Sequence, residues 1–86
     1  ACVGVNPASG DLFVCDRGNH RVLIYSPASN VIPVQVIGQS DFVSGAPNRG
    51  GIAPTSSSLK MPFGVAFTAV GNVLVADSGN MRILQY

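Results

Sequence analysis

Short apolar runs, LFVC, VLIY, VQVIG and VLVA, are separated by clusters of Gly, Asn, Ser and Pro, and no stretch carries a convincing helical period. In the first half, an extended run at residues 3–5 is followed by the turn Asn6-Pro7-Ala8-Ser9-Gly10 and a strand at 11–15. The polar turn Asp16-Arg17-Gly18-Asn19 and a strand at 20–25 come next. A further turn at 26–30 leads to a fourth strand at 31–38, in which Pro33 has no N–H to give a ladder and suits an outer edge. These runs are apolar on both pleat faces instead of alternating, so each sheet has to be covered on both sides.

The chain also repeats. Residues 10–25, GDLFVCDRGNHRVLIY, align with residues 71–86, GNVLVADSGNMRILQY, at an offset of 61, with eight of the sixteen positions identical. Gly4-Val5 aligns with Gly64-Val65 at an offset of 60, so the copies differ by one residue in a turn, where hairpins tolerate change. The predicted order is four strands, a long connection and three strands of the same kind. This is an all-β chain of two β-propeller blades, each a four-stranded antiparallel meander, with the last outer strand missing from the second. Two hairpin sheets stacked as a sandwich are the rival arrangement. The units are residues 1–38, the first blade; 39–60, a long inter-blade loop; and 61–86, the incomplete second blade.

Composition narrows the function classes. Of 86 residues, 47% are hydrophobic and 10% charged, with a net charge of +1. Five Lys and Arg against four Asp make nucleic-acid binding through bulk electrostatics an unfavoured reading. No apolar run approaches the roughly 20 residues that span a bilayer. A chain this small buries only about 60% of its unfolded surface and has too few charges to coat an exposed one. The composition therefore asks for a partner surface. Ala1 opens the chain without Met or a signal-peptide pattern, as expected of a processed or excised segment. Cys2 and Cys15 are too few for a disulfide framework and lack zinc-ligand spacing. They can meet across a hairpin, but buried thiols acting as small hydrophobes are the favoured expectation.

The segments GDLFVCDRGNHRVLIY and GNVLVADSGNMRILQY resemble the NHL-repeat family, whose blades carry a Gly-Asn-hydrophobic strand, then Asp-x-Gly-Asn-x-Arg, then a strand ending in an aromatic. The connecting segment, VIGQSDFVSGAPNRGGIAPTSSSLKMPFGVAF, resembles the long inter-blade insertions of bacterial NHL-repeat proteins of secreted type. The residues themselves assign no compartment; the resemblance implies an extracellular one. It also implies a propeller, commonly of six blades, of which this chain supplies two. The implied function is a non-enzymatic binding or interaction scaffold. Its partners are other blades, within a longer chain or by self-association of three copies into six blades, with a protein, peptide or glycan as ligand. NHL-like propellers include a metal-dependent lyase acting on peptide ends and hydrolase-like rings, so part of a metal-dependent propeller enzyme is the alternative. RNA binding through a basic face ranks last.

In the shared turn, Gly18 and Gly79 are expected to supply positive φ, with Asn19 and Asn80 tolerating the same region. Asp16 and Asp77 are expected to accept turn amides, while Arg21 and Arg82 reach back to an Asp or to a neighbouring blade's carbonyls. These eight residues are read as fixing the blade. An up-and-down meander brings the turn at 16–19 and the connection at 39–60 to one end, and long loops on a rigid scaffold are where binding surfaces sit. Arg17, Asn19, His20, Asp41 and Arg49 are therefore the binding candidates, with Gln39, Asn48 and Lys60 as further polar positions of the loop. His20 is the only histidine and has Met81 as its counterpart. With four Asp beside it, one chain does not supply a hydrolytic metal centre, and no Gly-x-Ser-x-Gly elbow exists. No catalytic residue, metal ligand or cofactor is expected. Asn48-Arg49-Gly50-Gly51 lacks the strand, Lys and helix of a phosphate loop and reads as a turn.

Overall fold

A computed structural model describes residues 2–28, 32–39, 41–42, 44–51, 55 and 57–86. Strands β1 (Cys2–Val5), β2 (Leu12–Asp16), β3 (Arg21–Tyr25) and β4 (Gln35–Ile37) form one antiparallel sheet in that order, and β5 (Pro62–Phe67), β6 (Val73–Asp77) and β7 (Arg82–Gln85) form a second. Three short 3-10 turns, Arg17–Asn19, Pro47–Gly50 and Ser78–Asn80, complete the elements; the described residues contain no α-helix.

Turn chemistry sets the hairpins. Asn6 accepts the Ala8 amide at its Oδ1 and the Gly10 amide at its carbonyl, both in the β1–β2 turn. Thr68 does the equivalent between β5 and β6, taking the Asn72 amide at its Oγ1 and the Gly71 amide at its carbonyl. Asn6 Nδ2 then donates to the Gly71 carbonyl at 2.9 Å, which ties the two turns together.

Pairing fixes which side chains share a face. The ladder sets Cys2 against Cys15 and Cys15 against Val22, and Phe13 against Ile24, so these side chains lie on one face of the first sheet. In the second sheet Val65, Val75 and Leu84 are aligned, as are Phe67 and Val73. The two faces pack together: Phe13, Cys15, Val22, Ile24, Val73 and Val75 form one buried core with Leu59 from the connection. Phe13 and Phe67 meet edge to face, with ring centroids 5.0 Å apart and planes at 70°. Towards β4 the sheets diverge and leave a groove of about 390 Å³ between Ile24, Gln35 and Ile37 on one side and Val73 and Tyr86 on the other. At its mouth, desolvation holds the Tyr86 phenol above its ordinary value, with Asp77 adding to the shift and Arg82 and Arg49 opposing it.

Several expectations need correction. The fourth strand begins at Gln35, not 31; Pro33 lies outside it, and Val31 lies outside the described residues. Without an N–H at Pro33 the ladder cannot extend through that residue. β2 runs one residue further than expected, to Asp16, and His20 belongs to the turn, not to β3. Cys2 and Cys15 are not free thiols: they sit directly opposite in the β1–β2 register, Cα atoms 5.0 Å apart, and form a disulfide. The second sheet has a register shift between Pro62 and Gly64 at the corresponding place, so its inner strand is held differently.

Candidate functional site

The two tight turns have one geometry. In each, a three-residue 3-10 turn ends on a left-handed residue, His20 at φ 53 and ψ 47 and Met81 at φ 52 and ψ 48. The positive φ thus falls two residues after each glycine; neither Gly18 nor Gly79 takes it. The glycine does a different job in the second turn. A Cβ on Gly79 would stand 2.5 Å from the Lys60 carbonyl oxygen, and the Gly79 amide donates to that oxygen at 2.8 Å. Gly79 is there to let the connection approach.

The acidic residue closing β2 or β6 organises each turn through side chains, not through turn amides as expected. Arg21 Nε donates to Asp16 Oδ2 at 2.7 Å, and Asn19 Nδ2 reaches both Asp16 oxygens at 3.2 and 3.0 Å. Arg82 Nε donates to Asp77 Oδ2 at 2.8 Å and Asn80 Nδ2 to the same oxygen at 2.7 Å, while the Lys60 amide donates to Asp77 Oδ1 at 2.7 Å. The pairs differ in setting: the Asp16 side chain is 28% exposed and that of Asp77 0%. A partly exposed pair such as Asp16–Arg21 contributes about 0–1 kcal/mol. The buried carboxylate needs every partner it has.

Both arginines also hold the connection. Arg21 Nη1 donates to the Phe42 carbonyl, and Arg82 Nη2 to the carbonyls of Thr55 and Ser58. Gln39 is 3% exposed and donates from Nε2 to the His20 and Ala46 carbonyls at 3.0 and 2.7 Å. Asn48 and Asn80 exchange side-chain amide hydrogen bonds at 3.2 and 2.8 Å, and the Asn48 amide donates to the Leu59 carbonyl. The segment 48–51 is a turn, with Asn48 and Arg49 both left-handed.

Arg17 is exposed, its guanidinium carbon 5.5 Å from the Phe63 ring centroid. Asn19 is held by Asp16, and His20 Nδ1 accepts the Met61 amide at 3.0 Å. Arg49 is exposed and makes one long contact, 3.4 Å, to the Gln39 carbonyl; Asp41 is exposed and accepts the Ser44 amide. Arg17, Asn19 and His20 therefore share one turn, Arg49 joins them through Gln39, and Asp41 serves its own loop. Ser58 and Leu59 are both buried, although nothing in a Ser-rich loop marks which residue folds inward. Among the described residues, no group of three or more His, Cys, Asp or Glu side chains converges as a metal site. Nor is any described helix long and apolar enough to cross a membrane.

Two stacked antiparallel sheets with matching Asp-Asn-Arg turns define an all-β protein built from repeated hairpin units. The family model of the NHL repeat matches residues 1–25, the segment that carries β1 to β3, and supports a place in the NHL-repeat family. That match suggests a repeat domain of the β-propeller type. No curated protein matches the chain.

Proposed function

We propose that the chain is a pair of NHL-type propeller blades that acts as a non-enzymatic interaction scaffold, and that its first partner is another blade pair of the same kind. One observation carries the reading. The face of the second sheet that packs on the first contains Val65, Val73, Val75 and Leu84, whose counterparts at offsets of 60 and 61 are Val5, Leu12, Val14 and Leu23 on the outer face of the first sheet. Likewise Phe13, Cys15 and Val22, buried in the core, correspond to Leu74, Ala76 and Ile83 on the outer face of the second sheet.

The two outer faces are thus repeats of the two faces that already pack together. Val5 is 57% exposed and Ile83 71%, where their counterparts are half-buried against the core, Val65, and buried in it, Val22. The outer face of the second sheet is hollowed at Gly64, Ala66, Leu74 and Ala76, with a depression of about 260 Å³ that suits the branched side chains opposite. One outer face docked on the other makes a head-to-tail contact, which closes into a ring when the rotation between successive copies closes. Three copies of two blades make six; in a longer chain the same faces meet further blades.

Ile83→Arg and Val5→Arg each place a charge on one outer face without touching the core. Either is expected to shift size-exclusion elution to the single-chain position with the far-UV circular dichroism of the strands retained. Elution unchanged by both substitutions contradicts the assignment of these faces.

A further inference from the structure

Met61, the residue before β5, is held from two sides. Its carbonyl accepts the Ser78 hydroxyl of the second turn at 2.6 Å, and its amide donates to His20 Nδ1 of the first turn at 3.0 Å. A ring nitrogen accepts a hydrogen only while it carries none, so the imidazole that makes this bond is neutral and has its own hydrogen on Nε2. Protonation turns Nδ1 into a donor and sets two N–H groups against each other. The backbone on either side is fixed: His20 and Met61 are both left-handed, at φ 53 and 51, and Gln39 Nε2 donates to the His20 carbonyl at 3.0 Å.

We propose that the His20–Met61 hydrogen bond is a proton-sensitive latch between the two sheets, closed while the imidazole is neutral and open once it is protonated. The charged groups around it favour opening in acid. On its own turn His20 has Arg17, which lies over Phe63 of β5, and Asp16, whose carboxylate is already bonded to Arg21 and Asn19. The connection brings Lys60, next to Met61, Arg49, which reaches the Gln39 carbonyl, and Asp41, which accepts the Ser44 amide in its own loop. The second turn brings Asp77, taken by Arg82, Asn80 and the Lys60 amide. A proton on the ring thus adds a cation beside Arg17 and Lys60, while Asp16 and Asp77 are each already paired with an arginine. Met81, in the same backbone conformation, carries no titrating group, so the second turn has no such latch. At the opposite end Asn6 and Gly71 are joined by groups that do not titrate, and the core between the sheets is apolar. Acid therefore loosens the end that carries Arg17, Asn19 and Arg49 and leaves the sheets folded.

The test is amide hydrogen exchange, read by NMR on the full chain at about pH 8 and about pH 5, the limits between which imidazoles change charge. Protection of the Met61 amide, corrected for the intrinsic exchange rate, is expected to fall about threefold to tenfold on acidification, as loss of one modest hydrogen bond does. Thr68 and Gly71, bonded within the far turn, are expected to keep theirs. His20→Asn puts an oxygen that does not titrate at the place of Nδ1, in a residue that accepts left-handed backbone, and is expected to protect Met61 equally at both values. His20→Met, whose fit in this turn Met81 demonstrates, is expected to leave Met61 poorly protected at both. Equal protection of Met61 at the two values in the unaltered chain, the same fall in the His20→Asn chain, or ring nitrogen shifts that put the hydrogen of the neutral imidazole on Nδ1 would overturn the proposal.

Discussion

Asp77→Ala is expected to lower the unfolding free energy by about 3 kcal/mol, and Asp16→Ala by no more than about 1 kcal/mol, although the two residues occupy the same place in the same motif. The difference comes from burial. Removing the Asp77 carboxylate leaves the Arg82 guanidinium, the Asn80 amide and the Lys60 N–H without their acceptor, in a setting where the side chain they lose was fully enclosed. Arg82 keeps its bonds to the Thr55 and Ser58 carbonyls and is 25% exposed, which places the cost at the lower end of the range for breaking a buried pair. Around Asp16, water takes over most of what the carboxylate did. Urea midpoints of the two variants decide the matter; equal losses would mean that burial of the second turn is not what gives its Asp the larger role.

Leu59→Ala is expected to cost about 3–4 kcal/mol, as deletion of a fully buried Leu from a packed site does. Leu59 is 0% exposed and, among the described residues of the connection, alone belongs to the apolar core. Gly38 shows how closely it is fitted: at φ +96, a Cβ there would stand 2.7 Å from Leu59 Cδ1. The same Leu holds the connection against both sheets, so its loss should also free the polar contacts at Asn48 and Lys60. Hydrogen exchange at the Gly79 amide, bonded to the Lys60 carbonyl, should then accelerate. A loss below about 1 kcal/mol, with Gly79 protection intact, would show that the connection is held by its hydrogen bonds alone.

The seven strands were legible because each is a short apolar run bounded by Gly, Asn or Pro, and the two-copy alignment gave their order. The pairing of Arg21 with Asp16 and of Arg82 with Asp77 followed from a five-residue spacing across a tight turn. Other features were hidden for physical reasons. A glycine in a turn draws the expectation of positive φ, yet the strain sits on His20 and Met81, and Gly79 serves close approach instead. The disulfide depends on Cys2 and Cys15 being directly opposite, a matter of one residue of register that a five-residue turn does not fix in advance. In the connection, Gln39 reads as one polar residue among many until its carbonyl partners are known, and Leu59 as an isolated apolar residue in a polar loop.

If the two exposed apolar faces, which repeat the two faces packed together in the core, dock on one another, sedimentation equilibrium of the chain over a range of concentrations detects the assembly. The expected result is a species of three times the 8.9 kDa chain mass, dissociating on dilution. A compact single chain at every concentration would contradict it.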